Sequence, residues 1–145
     1  MTAKKVFRWL LVLVWLAFTI FLSRQNGVGS STLSGGVATG LSGFLAKIGI
    51  KVNYYSFHAF LRQMAHFGIH LVLAILFYRA LVLVCRGFKT SICLSLLFCG
   101  LVALYDEYVQ YYRPGRVFDL EDIALNLLGV SLGVILGILS VKQNE

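Results

Sequence analysis

The chain has 145 residues, 59% of them hydrophobic and 13% charged, with a mean hydropathy of +0.82. A soluble domain is about half apolar and about a quarter charged, so this composition excludes one. It fits a single multi-pass membrane domain over residues 1–145. The net charge of +7 comes from cations at the ends of apolar runs, where they meet head groups or set topology. They do not cluster on a polar module, which excludes a nucleic-acid binder.

The first predicted span is 6–23, VFRWLLVLVWLAFTIFLS, about the length that crosses a bilayer. A cleaved signal peptide is the rival reading, because Lys4 and Lys5 precede the run. No convincing small-x-small cleavage site follows, so a retained helix is expected. The connection 24–56 opens on a Gly/Ser-rich run. Val37, Leu41, Phe44, Leu45 and Ile48 then recur at helical spacing. An amphipathic helix lying on the membrane surface fits that stripe, and a loop is the alternative.

The second span is 57–84. Arg62, His66 and His70 stand four apart along one of its faces. Arg79, Arg86 and Lys89 mark a short basic connection. The third span, 90–112, is uncharged until its last turns, where Asp106, Glu107 and Gln110 occur. Pro114-Gly115 breaks it. The fourth span, 120–141, begins with Asp119 as expected N-cap and Asp122 at the third helical position, resembling a capping box with Asp for Glu. Asp122, Asn126, Gly129, Gly133 and Gly137 share one face, and the glycines permit close helix contact. That contact could be made inside the bundle or between two copies, as a homo-oligomer through Gly129, Gly133 and Gly137. Cys85, Cys93 and Cys99 are odd in number, lack metal spacing and read as small core residues.

The expected fold is an all-α membrane protein: four transmembrane helices in a compact bundle, with an interfacial amphipathic helix between the first and second. An even number of spans puts both termini on one side. Seven Lys and Arg then share the terminal side against six opposite, or three once the long connection is set aside. This places the termini in the cytoplasm and the polar ends of the helices outside. Alternating direction also brings Arg62, His66, His70, Asp106, Glu107, Gln110, Arg116, Asp122 and Asn126 to one membrane level.

RQMAHFGIH at 62–70, DEYVQYYRPGR at 106–116 and DIALNLLG at 122–129 together resemble the VanZ-like membrane proteins. Their usual pattern is R-K-x-A-H-F-x-E-Y, then D-E-x-x-Q with P-G-R, then D-x-x-x-N-x-x-G. The resemblance covers roughly 57–137. It implies Arg62, His66, Asp106, Glu107, Gln110, Arg116, Asp122 and Asn126 as the site. Gln63, Ile69 and His70 depart from the pattern, standing where Lys, Glu and Tyr are usual. The resemblance implies a bacterial cytoplasmic-membrane protein of the cell envelope, associated with teicoplanin resistance.

The first functional expectation is an outward-facing pocket for a membrane lipid, a lipid-linked cell-wall precursor or a lipoglycopeptide. Arg62, Gln110, Arg116, Asp122 and Asn126 would bind. His66, oriented by Asp106 or Glu107, would be the base if there is turnover. The alternative is a non-catalytic bundle whose polar groups only fasten helices. A metal hydrolase using His66 and His70 is less favoured, since HExxH is absent, and no metal or other cofactor is expected. A transporter would need polar groups through the midplane, which the spans lack.

Overall fold

The computed structural model describes residues 2–85, 87–116 and 118–142, with backbone alone for Lys142. The predicted basic residue Arg86 lies outside them. Among the described residues five helices follow one another: α1 (Ala3–Ser23), α2 (Gly27–Lys47), α3 (Tyr54–Leu81), α4 (Phe88–Tyr111) and α5 (Leu120–Lys142). No strand occurs among these residues. Within them four helices are long and apolar enough to cross a membrane: Ala3–Ser23, Tyr54–Leu81, Phe88–Tyr111 and Leu120–Val141. At about 1.5 Å per residue each spans the roughly 30 Å of hydrocarbon. These bounds agree with the predicted spans to within three residues.

The bundle alternates in direction. At one end Arg8 Nη1 of α1 donates to the Arg79 carbonyl of α3 at 2.6 Å. At the other lie the end of α1, the start of α3, the end of α4 and the start of α5. α1 is an integral part of the bundle: Trp15 Nε1 donates to the Ile69 carbonyl at 2.9 Å, and Trp9 meets Phe77 edge-on at 5.7 Å. Phe77 also stacks on Phe98 of α4 at 4.4 Å. Leu73, Ala74, Tyr78, Cys99, Ala103, Val130 and Val134 complete the core. Of the three cysteines, Cys99 is buried and Cys85 half-buried. Cys93 is exposed on the bundle's outer face, against the expectation of a core residue.

α3 and α5 are the closest pair, and the glycine face explains it. A Cβ added at Gly129 would lie 2.4 Å from the Phe67 carbonyl oxygen, and one at Gly133 2.3 Å from that of Leu71. Backbone meets backbone with no side chain between. α3 fills this face within the chain, so of the two uses left open by the sequence the intramolecular one is made.

α2 differs most from expectation. It is a helix, but it starts ten residues before the apolar stripe and takes in the Gly/Ser run. Glycine-rich sequence forms helix poorly, so contacts must hold it. Asn26 caps it, accepting from Gly29 N at 2.8 Å. Gly27 N donates to the Pro114 carbonyl at 2.9 Å, and a Cβ at Gly27 would lie 2.3 Å from the Gly115 oxygen. Gly115 itself takes φ +74. Further along, Ser34 Oγ lies 2.7 Å from His58 Nε2. Val37, Leu41, Phe44 and Ile48 remain exposed, as residues facing lipid should.

Candidate functional site: a polar cluster under α2

Asp106 is the centre of the cluster. It lies five residues, about 8 Å, before the end of α4, is 6% exposed, and draws groups from three helices. Ser23 Oγ of α1 donates to Oδ1. Gln110 Nε2 donates to Oδ2 at 3.0 Å. His70 Nε2 lies 3.4 Å from Oδ2, and His66 Nδ1 3.8 Å from it. A buried carboxylate is costly unless it is hydrogen-bonded, and this one is.

His66 stands between two acids. Its other nitrogen, Nε2, is 3.6 Å from Asp122 Oδ2. Asp122 in turn pairs with Arg62 Nη2 at 3.3 Å, the carboxylate buried and the guanidinium side chain 41% exposed. The expected capping box is only half formed. Asp119 Oδ1 accepts from Glu121 N at 2.9 Å, as an N-cap should. The Asp119 N–H donates to Glu107 Oε1 of α4 at 3.0 Å, not to Asp122. Glu107 has displaced Asp122 from the box, which leaves Asp122 free for Arg62 and His66.

A cavity of about 240 Å³ opens beside the cluster. Arg62, His66, His70, Asp106, Gln110 and Arg116 supply its polar side. Leu22, Leu33, Val37, Ala65 and Ile69 supply its apolar side, and α2 roofs it with Ser30 and Ser34. Arg116, in the turn between α4 and α5, keeps Nε and Nη1 buried without a hydrogen-bond partner among the described residues. Burial holds its guanidinium below its ordinary value, and the neighbouring Arg62 adds to this. Asp106, Glu107 and Asp122 oppose the shift.

The predicted site residues therefore converge, with different roles. Asp106 is held chiefly by His70 and Ser23, more than by His66. Glu107 lies 1% exposed on the Asp119 side of the cluster, with Oε2 unpartnered among the described residues. Asn126 is fully buried one turn below Asp122, and neither polar atom of its side chain is bonded among the described residues. Sequence reasoning missed Ser23 and the part that α2 takes in roofing the cavity. A single serine ending an apolar run carries no periodic signal. Its partner is 83 residues away. For metal, the residues whose ligand atoms come together are His66, Glu107 and Asp122, all within 4.8 Å of one another.

No solved structure matches the chain. An uncharacterized protein of Schizosaccharomyces pombe is 38% identical over 82 residues, 56% of this chain and 49% of that protein. The chain thus spans about half the length of the curated relative it matches. The VanZ/LLP1 family profile matches residues 7–141, nearly the whole sequence. This multi-pass helical membrane protein belongs to the VanZ/LLP1 family.

Proposed function

We propose that the cavity binds the anionic head group of a membrane lipid or lipid-linked envelope component. The guanidinium edge of Arg116, unpartnered among the described residues, carries this reading, since it is buried beside a cavity that is polar on one side and apolar on the other. An arginine fork suits phosphate oxygens. Ligand pockets commonly enclose about 300–1,000 Å³. At about 240 Å³ this one takes a head group and the first carbons of a chain, leaving the tail in the bilayer along Leu33 and Val37. The VanZ-like association with teicoplanin resistance directs the proposal toward the cell envelope and toward wall precursors or lipoglycopeptides. The 38% identity over 82 residues to a yeast chain favours the head group itself, because yeasts make phospholipids but no peptidoglycan.

Native mass spectrometry of the protein released from phosphatidylglycerol nanodiscs tests the idea. Wild type should retain the phospholipid and not diacylglycerol. Arg116→Ala should retain it about 10–100-fold less, since hydrogen bonds to a charged group contribute about 1.5–3 kcal/mol. Equal retention by the variant would overturn the assignment.

The proposed orientation keeps both termini cytoplasmic and the cavity facing out. In a chain whose native cysteines are serine, Lys51→Cys should then react with an impermeant maleimide applied to intact cells. Labelling from the inside alone would reverse the orientation. A second reading, fastening alone, draws on the Ser23–Asp106 and Arg62–Asp122 contacts, which join α1 to α4 and α3 to α5. It predicts that Arg116→Ala leaves lipid retention untouched.

A further inference from the structure

We propose that His66, Glu107 and Asp122 form a binding site for a first-row divalent metal ion of the zinc or manganese class. The three residues come from three helices, so no spacing in the sequence announces them. Their ligand atoms lie within 4.8 Å of one another. The His66 Nε2 to Asp122 Oδ2 separation is 3.6 Å. A tetrahedral ion with bonds of about 2.1 Å holds its ligands roughly 3.4 Å apart, so this pair already stands near a coordination edge. An imidazole nitrogen with two carboxylates suits zinc, manganese or iron better than magnesium or calcium.

Two further observations point to an ion and not merely to an acidic cluster. Glu107 is 1% exposed, and its Oε2 has no hydrogen-bond partner among the described residues. A buried carboxylate oxygen without a donor is costly, and a cation relieves it. Two of the three ligands are also braced from behind. Asp106 sits 3.8 Å from His66 Nδ1, the nitrogen opposite the proposed ion. The Asp119 N–H fixes Glu107 Oε1. Arg62 Nη2 meets Asp122 at Oδ2, the oxygen that faces His66. A carboxylate behind a metal-bound imidazole is the usual means of setting its tautomer and orientation.

Charge agrees. Three carboxylates, Asp106, Glu107 and Asp122, face the two guanidinium groups of Arg62 and Arg116. Three protein ligands leave a coordination position open, and His66 also lines the cavity. His70 is not a ligand, being engaged with Asp106.

Cobalt(II) titration of the purified full-length protein in detergent tests the site without reference to activity. Wild type should bind one equivalent, with visible absorption bands of a low-coordinate nitrogen–oxygen site, and zinc should displace it. His66→Ala and Glu107→Gln should remove the bands. Asp106→Asn should weaken cobalt affinity about 10–100-fold, as loss of such bracing groups commonly does. Absence of saturable binding to wild type would overturn the proposal, whatever the variants do. Binding retained in both His66→Ala and Glu107→Gln would also overturn it. Lipid retention is measured separately, so either proposal can fail alone.

Discussion

Gly133→Ala is expected to destabilise the protein by roughly 1–3 kcal/mol, the usual cost of forcing a methyl into a packed interface, and Gly133→Leu to prevent a stable bundle. The new Cβ would stand 2.3 Å from the Leu71 carbonyl oxygen and 2.8 Å from Ala74 Cβ. A backbone carbonyl cannot rotate away as a side-chain tip can, so α3 and α5 must part. The damage would reach the polar cluster, because Leu71 follows His70 in the chain and Phe67, the partner of Gly129, follows His66. Thermal unfolding in detergent measures the loss. Gly36→Ala supplies the comparison: nothing lies within 4 Å of its added Cβ, and alanine gains up to about 1 kcal/mol of helix propensity. Equal melting of the Gly133→Ala and Gly36→Ala proteins would refute the account of the α3–α5 contact.

Asp106→Ala should loosen the Ser23 end of α1. Ser23, Gln110 and His70 would lose their common acceptor together. Interhelical polar contacts in membranes contribute about 0.6–2 kcal/mol each, so the two that cross helices, from Ser23 and His70, amount to roughly 1–4 kcal/mol. Both tryptophans of the chain, Trp9 and Trp15, lie on α1, so their emission reports its position. A red shift with a lowered unfolding midpoint is expected. Ser23→Ala should reproduce part of it and add little to Asp106→Ala, since the two residues share one bond. Unchanged emission and midpoint in Asp106→Ala would mean that the cluster does not hold α1.

Much of the fold was legible because a bilayer simplifies the problem. Every spanning segment must be long, apolar and helical, and α1, α3, α4 and α5 were. Faces were legible too: the four-residue spacings of Arg62, His66 and His70, of Asp106 and Gln110, and of Asp122 and Asn126 each gave one polar side. What escaped was pairing between helices. Nothing in the spacing tells that Glu107 takes the Asp119 N–H and frees Asp122 for Arg62. The sequence reading paired His66 with Asp106 or Glu107, because a carboxylate orients an imidazole, whereas His70 makes the closer contact to Asp106. The early start of α2 escaped for a different reason. Its glycines and serines have low helix propensity, and the contacts that offset this lie in α3 and in the turn after α4.

The join between Gly27 and the Pro114 turn has a mechanical consequence. Gly27 heads α2, and Pro114 stands two residues before Arg116. A backbone hydrogen bond of 2.9 Å unites them, with no side chain between to act as a cushion. The exposed apolar flank of α2, Val37, Leu41, Phe44 and Ile48, belongs to the same helix. Any displacement of the start of α2 would therefore pass through backbone alone to the turn that carries Arg116.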